Sequence, residues 1–255
     1  MPTRVTPDAT GRRLRVAGLG AGYFAQFHYR AWSRLDAVDL VGICDSDEAK
    51  ATATADALTS QADVGDNGGQ AQGIAADGQP TDTVAASAQW MQRWLQHGSR
   101  LVWTDAATML RDLTGASGKP IDILDIITPP ETHLQLVRLA CESLVPTVIC
   151  QKPLAPTLAE AAEIVELAEK FPDTKLVVHE NFRWQPWYGE MRRLLHGENA
   201  IGRCFNAVFR LRPGDGQGTP PSYVSRQPYF ADMERFVIHE TVRSTLRTHA
   251  LMHPI

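Results

Sequence analysis

A glycine-rich turn between an apolar strand and an amphipathic helix constrains the fold of this chain more than any other feature. Residues 14–19 form a short apolar run typical of a buried strand, and Gly20-Ala21-Gly22-Tyr23-Phe24-Ala25 follows it directly. Helical spacing of apolar residues continues over residues 23–34, and a second strand-like run at 38–44 ends at Asp45. Because two parallel strands need a crossover helix between them, this order predicts a βαβ unit.

The residues of this turn suit the binding of a pyrophosphate. Gly20 allows a tight turn, Gly22 allows close approach of the backbone, and Ala25 allows close packing of the helix. Backbone N–H groups at the start of the helix then point at the anion. Tyr23 and Phe24 belong to the same turn, so we include them among the candidate cofactor-binding residues. The alternative interpretation is a turn with a purely structural role.

Asp45 stands where a carboxylate accepts hydrogen bonds from the two ribose hydroxyls of an adenosine. A carboxylate there repels a 2′-phosphate, and Ser46 and Asp47 follow it instead of an arginine. This pattern favours NAD over NADP as the cofactor. Two alternatives stay open at this point: Asp45 only caps the next helix, or the unit binds S-adenosylmethionine, since methyltransferases share a glycine-rich first turn and an acidic residue after the second strand.

Composition limits the other classes of function. The chain has 255 residues, of which 44% are apolar and 21% charged, with a net charge of −4. These values indicate a soluble globular protein and argue against nucleic acid or a membrane as its partner. No apolar run is long enough for a transmembrane helix, and we expect a cytoplasmic protein. The four cysteines are scattered without metal-ligand spacing, so we expect reduced thiols and no metal site.

Alternation of strand-like and helix-like segments predicts an α/β fold. We expect a Rossmann-type, doubly wound parallel sheet over residues 12–153, with a flexible Gly-, Gln- and Asp-rich insertion near 59–80 and a docked helix near 84–95. A capping box, Thr157-Leu158-Ala159-Glu160, predicts a helix to about Lys170. We expect the second domain, residues 154–255, to be an incomplete α+β domain with a mostly antiparallel open sheet. Its strands are predicted at 175–178 and 204–211.

Several segments together resemble the Gfo/Idh/MocA family of NAD(P)-dependent sugar and inositol oxidoreductases, over about residues 14–240. The segments are 20–28, Thr128-Pro129-Pro130-Glu131-Thr132-His133, Gln151-Lys152-Pro153 and Glu180-Asn181-Phe182-Arg183-Trp184. The resemblance implies hydride transfer between a nicotinamide and a hydroxyl carbon of a sugar, cyclitol or polyol. It also implies a homo-oligomer formed through the open sheet of the second domain.

The same resemblance implies roles for individual residues. Thr128, Pro129 and His133 match a turn that packs near the cofactor, and Lys152 matches a catalytic lysine beside the nicotinamide. Gln151, another candidate cofactor-binding residue, stands where the family usually has glutamate. It keeps the hydrogen-bonding ability but loses the charge, so electrostatic support for Lys152 is weakened. The substrate-binding candidates follow the predicted strand at 175–178: they are Asn181, Arg183 and Trp184.

After Thr241 the sequence departs from the family pattern. The family's next catalytic histidine is not matched, and residues 242–255 have no strand pattern. We therefore expect a truncated or frameshifted reading frame and an exposed sheet edge that lowers stability. An inactive, nucleotide-binding fragment is the alternative to an active dehydrogenase.

Overall fold

The computed structural model describes residues 11–59, 102–117, 121–197 and 202. Within them, six strands form one parallel sheet in the order β3-β2-β1-β4-β5-β6. The strands are β1 (Leu14–Leu19), β2 (Val38–Cys44), β3 (Val102–Trp103), β4 (Ile123–Ile126), β5 (Thr147–Gln151) and β6 (Lys175–His179). This order is that of a Rossmann fold, and the predicted doubly wound parallel sheet is confirmed.

Helices follow the strands and cover both faces of the sheet. They are α1 (Ala25–Ser33), α2 (Glu48–Thr59), α3 (Ala106–Ser117), α4 (His133–Glu142), α5 (Leu158–Lys170) and α6 (Pro186–Arg192). Short 3₁₀ helices occur at Pro130–Thr132 and Asn181–Trp184, and a π-helical turn at Arg193–Gly197. The described helices do not include one whose length and apolar character would let it cross a membrane.

Among the described residues, two hydrophobic clusters fill the space between the sheet and its helices. Val16 packs with Tyr29 of α1 on one face of the sheet. Its neighbour Ala17 belongs to the other cluster, with Leu124 of β4 and Ile164 of α5. Successive residues of β1 thus face opposite layers, as the alternation of side chains along a strand requires.

The capping box at the start of α5 is confirmed. The Thr157 hydroxyl oxygen accepts a hydrogen bond from the Glu160 backbone N–H at 3.2 Å and lies 2.7 Å from Glu160 Oε2. The helix ends at Lys170, as expected from the apolar spacing.

The assignment of residues 175–178 to a second domain was wrong. This segment is β6, which pairs in parallel with β5 from Thr147↔Lys175 to Gln151↔His179. The parallel sheet therefore continues past the domain change predicted at residue 154. A capping box shows only where a helix starts, and a short edge strand has the same sequence pattern whether it extends an existing sheet or begins another.

One local difference concerns the start of a helix. Helix α1 begins at Ala25 and not at Tyr23, so Tyr23 and Phe24 lie in the turn. The predictions for the insertion, the helix near 84–95, the strand at 204–211 and the segment 242–255 concern residues 60–101 and 203–255, which lie outside the described residues.

Candidate functional site

The glycine turn joins β1 to α1 and contains one position that requires glycine. Gly20 has a φ of +103°, and a Cβ atom there would lie 2.7 Å from the carbonyl oxygen of Ile127. Its backbone N–H donates to the Cys44 carbonyl oxygen at 2.7 Å. The turn is thus held between the ends of β2 and β4, which places it at the carboxyl edge of the sheet.

Gly22 serves a different purpose from Gly20. It is exposed, and a Cβ atom added to it would meet no atom within 4 Å. The next residues lead directly into α1, whose N-cap residue, Phe24, has no polar side-chain group to cap the helix. Open space above the backbone and N–H groups without a side-chain cap are what a bound pyrophosphate requires.

Tyr29 supports the turn from below, a role that the sequence patterns did not indicate. Its fully buried hydroxyl donates to the Gly20 carbonyl oxygen at 2.7 Å. Its ring packs against Gly18, where a Cβ atom would lie 2.3 Å from the ring. A tyrosine one helical turn after Ala25 with a glycine inside the preceding strand is the only sequence signal for this contact.

Asp45 lies against the same turn. Its Oδ2 accepts a hydrogen bond from the Ala21 N–H at 2.7 Å, and its Oδ1 accepts one from the Asp47 N–H at 2.9 Å. The carboxylate at the end of β2 therefore lies against the glycine turn. Asp45 and the glycine turn are thus adjacent, at the ends of the two strands of the predicted βαβ unit.

His133 connects the turns that follow β4 and β5. Its Nε2 lies 2.8 Å from the Thr128 carbonyl oxygen, and its Nδ1 lies 3.1 Å from the Leu154 carbonyl oxygen. The Thr132 hydroxyl, 2.7 Å from Thr128 Oγ1 and 2.8 Å from the Pro129 carbonyl oxygen, closes the same turn. His133 is fully buried. Its position predicts a structural role, holding Thr128 and Pro129 at the sheet edge.

Burial lowers the pKa of His133 below its ordinary value of 6.5, against the opposing effect of the carbonyl groups of Thr128 and Leu154. We expect the free energy of unfolding to decrease as the pH falls below about 6.5, because the unfolded chain then takes up a proton that folded His133 does not. The pKa of His179 is also lowered, so it acts in the same direction.

Urea denaturation at about pH 7.5 and about pH 5.5 measures this dependence. The decrease in stability should be smaller in a His133→Asn variant than in the wild type, after allowing for the lower overall stability of the variant. A wild-type chain that is equally stable at both pH values would contradict the lowered pKa of folded His133.

Gln151, Lys152 and Pro153 lie at the carboxyl end of β5. Gln151 Oε1 accepts a hydrogen bond from the Lys152 backbone N–H at 2.8 Å, and the Lys152–Pro153 peptide bond is cis. Gln151 and Pro153 are buried, whereas Lys152 is partly exposed. This arrangement places the predicted catalytic lysine at the same edge of the sheet as the glycine turn.

The predicted substrate-binding residues lie in the 3₁₀ helix after β6, beside the end of β5. Trp184 is 73% exposed, and Asn181 Oδ1 is buried with no hydrogen-bond partner among the described residues. Only the backbone of Arg183 is described. The backbone thus brings all three to the sheet edge that holds Lys152, and their contacts with a substrate stay a prediction.

Three polar residues near this edge were missed as functional candidates. Asp125, His28 and His179 form hydrogen bonds that lead to Gln151. A charged residue inside the apolar strand β4 was the available signal for Asp125, and His28 was part of the first family-like segment. Within the described residues, no group of three or more His, Cys, Asp or Glu side chains is arranged to hold a metal ion.

Comparison with known proteins agrees with this geometry. Residues 14–179 match the Gfo/Idh/MocA family model, described as an oxidoreductase family with an NAD-binding Rossmann fold. D-apiose dehydrogenase from Paraburkholderia graminis is 32% identical over 91% of this chain and 47% of its own length. D-apiose dehydrogenase from Rhizobium rhizogenes is 29% identical over 91% of this chain and 52% of its own length. The chain therefore spans about half the length of these relatives.

A solved structure supports the same assignment. An oxidoreductase from Agrobacterium radiobacter, in complex with NAD+, L-tartaric acid and magnesium, superposes with a TM-score of 0.64 and 27% identity. The match covers 94% of this chain and 54% of that one. The methyltransferase alternative is thereby set aside. The chain belongs to the Gfo/Idh/MocA family of oxidoreductases, with an NAD-binding Rossmann fold.

Proposed function

We propose that this chain binds NAD at the glycine turn and exchanges hydride between the nicotinamide and a hydroxyl carbon of a sugar, cyclitol or related polyol. One observation carries the proposal: the glycine turn, Asp45, the Thr128-Pro129 turn and Lys152 follow four strands that end at the same edge of the sheet. In open α/β sheets, dinucleotides bind at this edge, where the strand order reverses. Here the reversal lies between β1 and β4.

The residues of the turn fit the proposed cofactor. Position 20 requires glycine, because its φ is positive and a Cβ atom would clash with the Ile127 carbonyl oxygen. Gly22 leaves open space above the backbone. The start of α1 has no side-chain cap, so backbone N–H groups of the glycine turn are proposed to donate hydrogen bonds to the pyrophosphate. Tyr23 and Phe24 line the turn and are proposed to contact the cofactor through their backbone or ring edges.

Asp45 is proposed to select NAD over NADP. Its carboxylate accepts a hydrogen bond from the Ala21 N–H, and the adenosine ribose is proposed to bind beside it. Two ribose hydroxyls can donate to a carboxylate, whereas a 2′-phosphate would be repelled by it. NADPH is therefore expected to bind more weakly than NADH.

Lys152 is proposed as the residue that takes the hydroxyl proton during oxidation and returns it during reduction. A bound nicotinamide supplies the hydride acceptor or donor. The remaining residues hold this arrangement: Gln151 fixes the Lys152 backbone, and His133 holds Thr128 and Pro129 beside it. Gln151 and His133 thus position other groups and take no part in the proton transfer.

Asn181, Arg183 and Trp184 are proposed to contact the substrate. A polyol requires several directed hydrogen bonds, and Trp184 offers an exposed aromatic face on which a sugar ring can stack. D-apiose is the first substrate to test, because two relatives that match most of this chain are named D-apiose dehydrogenase. We further propose a cytoplasmic, homo-oligomeric enzyme, in keeping with a reaction that uses the cellular NAD pool.

The test is a spectrophotometric assay of NAD reduction by D-apiose, myo-inositol and several aldoses, run beside an NADH titration. We expect saturable NADH binding and turnover with at least one of these polyols, faster with NAD than with NADP. NADH binding without turnover on the whole panel would favour the alternative, a nucleotide-binding chain without catalytic activity. Absence of NADH binding would contradict the proposal.

A further inference from the structure

A buried chain of hydrogen bonds runs from the middle of β4 to the end of β5. We call Asp125, His28, Gln151 and His179 the buried polar chain. Asp125 Oδ2 lies 2.9 Å from His28 Nδ1, and His28 Nε2 lies 2.8 Å from Gln151 Nε2. Gln151 Nε2 also lies 3.3 Å from His179 Nδ1. Asp125, His28 and Gln151 are each less than one tenth exposed, so these groups have little access to water as an alternative partner.

The Gln151 amide determines which ring nitrogens of the buried polar chain carry protons. Its Oε1 accepts from the Lys152 backbone N–H, so its Nε2 is the atom that faces both imidazole rings. An amide nitrogen has two N–H donors and no acceptor. Both facing ring nitrogens, His28 Nε2 and His179 Nδ1, must therefore accept, which requires that neither of them carries a proton.

The other contacts of the buried polar chain agree with these proton positions. With Nε2 bare, the proton of His28 is on Nδ1, where it is donated to Asp125 Oδ2. The same Oδ2 accepts from Trp32 Nε1 at 2.7 Å, and Asp125 Oδ1 has no hydrogen-bond partner among the described residues. Burial lowers the pKa of His179, which agrees with a neutral ring that has one bare nitrogen.

We infer that Gln151 is a positioning residue that holds His28 in its Nδ1–H form and His179 in its Nε2–H form while it fixes the backbone of Lys152. Asp125 and His28 in turn hold the amide in this orientation. Rotation of the amide by half a turn would place its NH₂ group against the Lys152 N–H, two donors facing each other. The functional part of this inference, the placing of a catalytic Lys152, rests on the proposed function; the assignment of the protons does not.

Glutamate at position 151 would reverse the demand on the two histidines. A carboxylate accepts hydrogen bonds and donates none, so it requires N–H groups from the rings that face it. With Asp125 still accepting at Nδ1, His28 would carry protons on both nitrogens. The neutral amide of this chain is thus matched to neutral histidines, and its replacement by a charged group changes the protonation of the buried polar chain.

The test is a long-range ¹H–¹⁵N correlation spectrum of the histidine rings in the full chain, with signals assigned through contacts to the Trp32 indole and Gln151 amide protons. We expect His28 to show a protonated Nδ1 and a bare Nε2, and His179 to show the opposite. This spectrum needs neither substrate nor turnover. A protonated Nε2 in wild-type His28 would overturn the inference even if the enzyme is active, and the expected pattern would stand even if it is not.

Three variants complete the test, two at position 151 and one control. Gln151→Glu is expected to add a proton at His28 Nε2, whereas Gln135→Glu, the same change at an exposed position of α4, is expected to leave the His28 signals unchanged. In an active chain, Gln151→Met, which keeps the length of the side chain and removes its hydrogen bonds, is expected to lower kcat by about 100-fold with KM for NAD nearly unchanged. Wild-type signals in Gln151→Glu, or wild-type kcat in Gln151→Met, would overturn the positioning role.

Discussion

Replacement of Lys152 by methionine is expected to lower kcat for polyol oxidation by about 10²- to 10⁴-fold, the range contributed by a positioned proton-transfer group. Methionine keeps much of the length of the lysine side chain and removes the group that exchanges the proton. The backbone N–H at this position is held by Gln151, so the substitution is expected to leave the turn in place. NADH affinity is expected to change little.

Steady-state kinetics together with an NADH titration measure this effect. The matched control is Lys175→Met, the same change at the amino end of β6, on the opposite edge of the sheet. It should retain wild-type kcat. If Lys152→Met turns over at a rate close to that of the wild type, Lys152 does not carry the proton; if it loses NADH binding, its role is in holding the cofactor.

Replacement of Gly20 by alanine is expected to abolish NADH binding and to lower the free energy of unfolding by about 1–3 kcal/mol, the cost of a residue held in a sparsely populated backbone region. The added Cβ would lie 2.7 Å from the Ile127 carbonyl oxygen, a backbone atom of the turn that follows β4. The positive φ of Gly20 adds to this conflict. To remove the clash or the unfavourable φ, the turn would have to shift, which would also displace the Gly20 carbonyl oxygen that accepts from the Tyr29 hydroxyl.

Urea denaturation and NADH titration of the variant separate the two effects. Gly115→Ala, at an open position in α3, is the control for the substitution itself and should raise stability by about 0.5–1 kcal/mol. Gly22→Ala meets no atom, so it should retain the fold and weaken NADH binding alone. A Gly20→Ala variant with wild-type stability and NADH affinity would show that the turn tolerates a side chain.

The features predicted correctly from the sequence are those whose signals are local. Gly20 to Ala25 lie within six consecutive residues, between a strand and a helix whose periodicities differ, and the Thr157 capping box spans only four. Such patterns follow from backbone geometry and helix capping, which neighbouring residues determine. The positions of Asp45, Thr128 and Lys152 at strand ends then follow from the parallel topology.

The features that were missed depend on contacts between distant parts of the chain. His28 reaches Asp125 across 97 residues and Gln151 across 123 residues. Nothing adjacent to His28 indicates these partners, because the packing of α1 onto the sheet brings them together. For Gln151, the retained hydrogen-bonding ability was recognised but its partners were not: the amide makes hydrogen bonds to two imidazole rings and to a backbone N–H.

The pairing of β6 with β5 was missed for the same reason. The strand is partly exposed, and its alternating burial agrees equally with an edge of the first sheet or with the start of a second one. Only the register with β5, from Thr147↔Lys175 onward, distinguishes these arrangements. Register between strands separated by a helix depends on how the helix packs, which no short sequence window contains.

Isothermal titration of the full chain with NADH is the most direct measurement of the central claim, that the glycine turn holds a nicotinamide dinucleotide. We predict saturable one-site binding that NAD displaces, weaker binding of NADPH because of Asp45, and loss of binding in the Gly20→Ala variant. Absence of saturable binding, or NADH binding that the Gly20→Ala substitution leaves unchanged, would contradict the assignment of this turn as the cofactor site.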